Sequence, residues 1–346
     1  MKERFCVIIF LTLEEVEGMR KLVLTFLIIC ISVLSFSANY VNAYTTLEEP
    51  LAKVLFEEFQ KETGIKVNWV RLSTGEVLAR LEAEKNNPQA SIWVGGVGVY
   101  HVEAKLKGFT TPYKAPYSQF IDAKFKDPEG YWIGLYVGPL AFATNKNRAK
   151  ELGITPPTSW ADLIKPEYKG LIRMADPNTS GTAYNVITTM INIYKRDENK
   201  AFEYMKKLNV NINMYTKSGA APGKDCAIGE TPIAIGYLHD LIKLQKEGAP
   251  IVITLPVDGS GYEIAAMSLI KGGKEPLEAK KLYNWVLGDK AQSIIASWYV
   301  IPLSPKAPKN KVVYKPEDIN LIQQDLLWEA QNRERLIDRW NKEIGR

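Results

Sequence analysis

Leu51, Val54, Leu55 and Phe59 recur at helical spacing between Glu48 and Thr63; Gly64 follows, and then Ile65-Lys66-Val67-Asn68-Trp69-Val70. An amphipathic helix stopped by glycine and followed at once by a β-prone run is the start of an α/β unit. Working outward, Tyr40-Val41-Asn42-Ala43-Tyr44-Thr45 reads as the strand before that helix. Ser73-Thr74-Gly75-Glu76 opens a helix through Lys85, Ser91-Ile92-Trp93-Val94 is a strand, and His101 to Lys107 is a short helix. Repeated β-α-β order predicts a mostly parallel sheet covered by helices.

The rhythm resumes after a middle section. Gly134 to Val137 and Leu140 to Asn145 read as strands, 182–195 and 198–208 as helices, 231–236 and 250–254 as strands, and Tyr262 to Ile270 as an extended run. Helices are expected over Glu275 to Gly288, Lys290 to Ser297 and Asp318 to Glu343. No short repeat and no Gly/Ser-rich or Pro-rich linker cuts the chain, so two α/β lobes joined by ordered crossings are expected. The boundaries read as 38–141 plus about 256–310 for one lobe, 142–255 for the other, and 311–346 for a C-terminal helical segment.

The chain has 346 residues, 46% apolar and 24% charged, a globular composition. Met19-Arg20-Lys21 precedes the apolar run Leu22 to Leu34 and then small residues, the three parts of a secretory signal, so 1–37 is expected to be removed and the protein exported to the periplasm or cell envelope. Thirteen apolar residues fall short of the roughly 20 that span a membrane, and no stable membrane insertion is expected. Cleavage after Ser37 competes with cleavage after Ala43; the second would cut the first strand. Ile29 before Cys30 is too bulky for a lipoprotein box.

Loss of 1–37 takes four basic and four acidic residues and leaves the net charge of +5 unchanged. That mild excess suits an anionic ligand; interspersed Lys, Arg, Asp and Glu form no phosphate-tracking stripe, which argues against nucleic acid. Of Cys6, Cys30 and Cys226 only the last remains, so no internal disulfide forms.

Three stretches place Ser/Thr and Gly at a helix start: Ser73-Thr74-Gly75, Thr179-Ser180-Gly181-Thr182 and Ser218-Gly219-Ala220. Such ends aim free N–H groups and hydroxyls at one point, where oxyanions bind, although ordinary capping gives the same residues. All three follow strand-like segments, and ligands of α/β sheets gather beyond the carboxyl ends of strands. His239-Asp240 stands just past the strand ending near Tyr237, and Glu263 follows the turn-rich Asp258 to Tyr262; these groups read sugar hydroxyls, an amine or a metal. Trp93, Trp132, Tyr136 and Tyr262 are candidate apolar walls, with core packing as the alternative for each. His101 reads as surface or core, and Gly95-Gly96-Val97-Gly98, no dinucleotide fingerprint, as backbone bending. No Walker loop, Gly-x-Ser-x-Gly or His-Glu-x-x-His occurs, and no cofactor is expected.

The ordered set Val41 to Thr45, Leu72 to Glu76, Asp176 to Thr182, Ser218 to Ala220 and Gly261-Tyr262-Glu263 resembles the ferric-binding-protein-like group of ABC-transporter substrate-binding proteins, over about residues 40 to 310. The resemblance implies the type II periplasmic-binding fold, a monomer whose two lobes close over ligand, and a transporter permease as partner. Iron binders of that group carry adjacent tyrosines where this chain has His239-Asp240, which puts ferric iron in doubt and leaves a ferric-iron-binding protein of an iron(III) importer as the alternative within the class. Ser73, His239-Asp240 and Glu263 are instead similar to the branch binding hexose phosphates, with phosphonate binders as relatives. An exported thiol hydrolase using Cys226 with His239 and Asp240 is the alternative of another class.

Overall fold

The computed structural model of the chain describes residues 39–308 and 319–345; the expected leader and signal peptide lie outside the described residues. Among those described, no helix is long and apolar enough to cross a membrane.

The helix Glu49–Thr63 forms as read, ending where Gly64 takes a left-handed conformation (φ 72°) that costs glycine no steric penalty. Its buried face is Leu51, Ala52, Leu55, Phe56 and Phe59, and Val54 faces outward. It follows β1 (Tyr40–Thr45) and precedes β2 (Lys66–Arg71). The helix Thr74–Ala83 leads to β3 (Ile92–Val97), and the helix Gly98–Leu106 follows. β1 lies between β2 and β3, parallel to both.

The second half repeats the device. β6 (Ile172–Ala175) precedes the helix Gly181–Ile193, β7 (Ile212–Thr216) precedes Ala221–Ala227, and β8 (Ile233–Tyr237) precedes Leu238–Lys246. β6 is parallel to β7 and β8. The helix Glu198–Asn211 packs beside Gly181–Ile193 through Phe202, Met205, Leu208, Ile187 and Met190, all buried; full burial of each such side chain stabilises by about 1.5–3 kcal/mol.

The two triplets are joined through β5 (Ile133–Asn145) and β10 (Tyr262–Ile270), giving the order β2-β1-β3-β10-β5-β8-β6-β7. The short strands β4 (Thr110–Thr111), β9 (Ile251–Thr254) and β11 (Ile301–Pro302) lie off that path. β10 is antiparallel to β3 and to β5, and β5 is antiparallel to β8 and β9, so the sheet is mixed rather than mostly parallel.

β5 corrects another expectation, because the runs expected as two strands are one strand of 13 residues. Its first part pairs with β10, where Gly138 faces Glu263 and Pro139 faces Tyr262. Its second part pairs with β8, starting with Leu140 opposite Tyr237. Proline offers no N–H to a ladder, and the partner changes at Pro139 while the strand continues. The first triplet runs in the direction of β5 and the second against it. Both sets of carboxyl ends therefore point at Gly138–Leu140.

Two further elements differ from expectation. β7 was expected only as an unbounded strand-like run before Ser218; Ile212-Asn213-Met214 does alternate apolar and polar residues, but the strand starts directly where the helix Glu198–Asn211 ends, which hides its first residue. The terminal helix, expected from Asp318, spans Leu326–Glu343. Asp325 caps it by accepting from the Trp328 N–H at 3.1 Å, while Asn320 and Ile322 bond the backbone of Ser260 and hold the preceding segment extended.

Candidate functional site

A cleft of about 60 Å³ opens at the convergence of the two triplets. Ten of the fourteen residues anticipated from sequence line it: Ser73, Thr74, Ser180, Gly181, Thr182, Gly219, Ala220, His239, Asp240 and Glu263. The other four lie elsewhere. Gly75 and Thr179 meet beside the cleft, where the Gly75 N–H donates to the Thr179 carbonyl at 3.0 Å. Ser218 accepts from Arg71 Nη2 at 3.3 Å. Trp93 is fully buried and stacks on His101 with ring centroids 3.8 Å apart. His101 is itself core, held between Ser268 Oγ and the Gly95 carbonyl.

Thr46, Glu48, Arg71, Gly96, Val97, Tyr136 and Tyr237 complete the lining. Tyr136 had been anticipated as an apolar wall; the others were not tied to the site. The usable signal was position: Thr46 and Glu48 follow β1, Arg71 ends β2, Val97 ends β3 and Tyr237 ends β8, the same carboxyl-end rule that singled out Ser73 and His239.

One end of the cleft gathers helix N-termini, hydroxyls and a guanidinium. Ser180 caps the helix Gly181–Ile193, its Oγ accepting the Ala183 N–H at 3.4 Å. The first N–H groups of a helix have no partner within it and carry the positive end of its dipole; here they belong to Gly181 and Thr182. Ser73 and Glu76 form a capping box on the helix Thr74–Ala83. The loops meet so closely that a Cβ on Gly219 would stand 2.1 Å from Thr182 Oγ1, and one on Gly181 2.6 Å from Val97 Cγ2. Arg71 adds the guanidinium that a carboxylate or phosphate pairs with in bidentate fashion.

The other end gathers three carboxyl groups and an imidazole. His239 Nε2 lies 3.5 Å from Asp240 Oδ1 and 3.7 Å from Glu263 Oε1, between the rings of Tyr136 and Tyr237. Burial pushes the His239 pKa down to about 4, so the ring is neutral at pH 7. Burial, reinforced by the charge of Glu48, pushes Asp240 up to about 7. Glu263 is raised well above the carboxylate range by burial and by the charge of Asp240. Glu48 pairs with Lys224 at 3.1 Å. Thr46 Oγ1, Glu48 Oε2 and His239 Nδ1 are buried without a hydrogen-bond partner, and a buried polar group left unpaired is costly. A neutral imidazole beside carboxyl groups held toward their protonated forms offers both donors and acceptors, which match hydroxyl groups.

Cys226 does not belong to this arrangement. It is fully buried, its Sγ lies 3.6 Å from the Ala143 and Pro232 carbonyls, and burial pushes its thiol up to about 12. The thiolate needed by a nucleophile is therefore disfavoured, and Cys226 reads as a core residue.

Two predictions follow from this geometry. A Cβ on Gly138 would stand 2.6 Å from His239 Cε1 and 3.1 Å from Glu263 Oε1, whereas one on Gly236 meets nothing closer than 3.7 Å. Gly138→Ala should lower stability by about 1–3 kcal/mol in urea denaturation and Gly236→Ala by clearly less; equal losses would remove the steric role given to Gly138. The raised Asp240 pKa means that folding favours its protonated form. The associated stability is present below about pH 4, the ordinary range of this carboxyl, and is lost as the pH rises through about 7. Asp240→Asn should therefore gain on the unaltered protein between pH 5 and pH 8, and denaturation curves that shift in parallel at both pH values would contradict the burial argument.

Residues 99–327 match the family model described as bacterial extracellular solute-binding protein. The periplasmic binding protein AfuA of Actinobacillus pleuropneumoniae, solved with exogenous fructose-6-phosphate bound, is 34% identical with a TM-score of 0.85, over 88% of this chain and 98% of that one. A Salmonella typhimurium protein named "Putative 2-aminoethylphosphonate-binding periplasmic protein" is 25% identical over 269 residues, 75% of this chain and 76% of that protein. The apo ferric ion-binding protein A of Pasteurella haemolytica, 22% identical over 88% of this chain and 98% of its own, shares the fold with a TM-score of 0.72. Together with the α/β halves and the cleft at their facing strand ends, these matches show that the chain belongs to the bacterial extracellular solute-binding proteins and has the type II periplasmic-binding fold.

Proposed function

We propose that this chain is the exported binding component of an ABC importer, working as a monomer that captures a small phosphorylated anion, a sugar phosphate or an organophosphonate, and delivers it to the permease. The observation that carries the ligand class is the division of one cleft into two unlike ends. Ser73, Thr74, Ser180, Gly181, Thr182, Gly219, Ala220 and Arg71 would hold the phosphoryl oxygens, and His239, Asp240 and Glu263 would read the hydroxyls. AfuA with its bound sugar phosphate and the Salmonella relative named for a phosphonate support the same chemistry.

Capture works by closure. The lobes are taken as 38–141 with about 256–310, and 142–255, crossing at β5 and at 255–261. Bonds already span the cleft: Ser73 Oγ donates to the Lys217 carbonyl at 3.3 Å, and Lys217 Nζ lies 2.5 Å from Glu76 Oε1. A ligand held from both sides stabilises this closed form over an open one.

Ferric iron is the weaker reading within the same class. Tyr136 and Tyr237 do reach the cleft, but burial raises both phenols well above their ordinary range, Glu263 adding to the effect, which disfavours the phenolates that a trivalent ion prefers. Ferric citrate is expected to give no tyrosinate charge-transfer band.

Mass spectrometry of the small molecules released on denaturing the purified protein tests the proposal directly. Thermal shift with fructose 6-phosphate, 2-aminoethylphosphonate and ferric citrate completes it. A true ligand at 100 times its dissociation constant adds about 2.7 kcal/mol. Stabilisation by a phosphorylated compound supports the reading, and stabilisation by the ferric salt alone overturns it.

A further inference from the structure

The C-terminal segment is engaged by both parts of the molecule, and the capture mechanism leaves it without a role. It begins at the crossing between the halves. Ser260 N–H donates to the Asn320 carbonyl at 2.7 Å, and the Ile322 N–H donates to the Ser260 carbonyl at 2.9 Å. Ser260 Oγ in turn donates to the carbonyl of Leu140 at 2.7 Å, the residue where β5 changes partner. Three passes of the chain are thus stitched together at one place: β5 at 139–140, the connection at 258–261, and the tail at 320–322.

From there the helix Leu326–Glu343 lies across helices of both triplets. Toward the first, Arg333 makes a two-pronged contact with the buried Glu103, Nη2 donating to Oε1 at 3.1 Å and Nε to Oε2. Glu334 adds a 2.6 Å pair with Lys107. Toward the second, Arg335 forms another two-pronged pair with Glu198 at 2.7 and 2.8 Å. The Tyr184 hydroxyl donates to the Glu329 carbonyl at 2.7 Å, and Lys206 meets Glu343 at 2.8 Å. Glu103 belongs to the helix that follows β3, and Tyr184 to the helix that follows β6. Both helices begin at the cleft.

We propose that the helix Leu326–Glu343 is a strap that holds the two halves in the closed arrangement and sets how readily they part. Separation must break its pairs with one half or the other, because it is tied to each half by a fork-like arginine–carboxylate contact whose geometry is specific. The strap thereby biases the open–closed equilibrium, and with it the affinity of any ligand that requires the closed form. The inference rests on the reading that the halves open and close, and is independent of which ligand they hold.

The test uses the full chain with spin labels at Lys53→Cys in one half and Lys246→Cys in the other, the buried Cys226 being left in place. Interlabel distances are measured by electron double resonance without ligand and with fructose 6-phosphate. Arg333→Met severs one anchor, and Arg335→Gln severs the opposite, more exposed one. Either change should move the ligand-free distribution to longer distances. Fructose 6-phosphate binding should weaken by roughly five- to a hundredfold, the usual range of coupling between sites. Should Arg333→Met fail to fold, Arg335→Gln decides alone. A lower melting temperature with an unchanged distance distribution in Arg335→Gln would overturn the strap and leave a helix that only packs. If the unaltered protein does not bind fructose 6-phosphate, the ligand reading fails by itself, and the ligand-free distances still decide the strap.

Discussion

The structure depends on the direction of one strand. β5 runs through both halves without a break and changes neighbours at Pro139. The strands of one triplet run along it and those of the other run against it, so every carboxyl end in the two triplets is aimed at the same few residues. Helix N-termini follow carboxyl ends in α/β order. The convergence therefore brings free N–H groups, capping hydroxyls and the first side chains of several helices to one place. Gly138 sits at that place because His239 and Glu263 leave no room for a Cβ.

Convergence also explains the unlike ends of the cleft. Loops that pass close to one another, as at Gly181 and Gly219, expose mainly backbone and hydroxyls, and these stabilise negative charge. Where the strand register instead sets Glu263 against Gly138 and Tyr237 against Leu140, side chains fill the space. Burial raises the pKa of both Asp240 and Glu263, which disfavours charge on either.

Much of this was legible from sequence, and the limits have physical causes. The helix Glu49–Thr63 announces itself by its period and its Gly64 stop, and the caps at Ser73 and Ser180 by residue type. Local signals of that kind survive without tertiary context. The continuity of β5 was not legible, because Gly138-Pro139 looks like a break, and only its register shows that proline is tolerated where the partner changes. β7 was given no bounds because it starts at Ile212, the residue after the helix Glu198–Asn211 ends, so helix and strand share one uninterrupted run of sequence. Glu48 and Arg71 were missed for a different reason: a charged residue at a strand end looks like an ordinary solvated one until the opposite half is in place. Trp93 erred the other way, since an aromatic near a functional loop also suits the core, and the stack on His101 shows which use was made of it.

The C-terminal helix joins these points. The crossing strand fixes where the halves meet. Arg333 with Glu103 and Arg335 with Glu198 tie the helix to one half each. A two-pronged arginine contact tolerates little displacement before one of its bonds is lost, so a small opening of the cleft is resisted steeply and a large one hardly more. That is the response expected of a device with two states rather than a continuous spring.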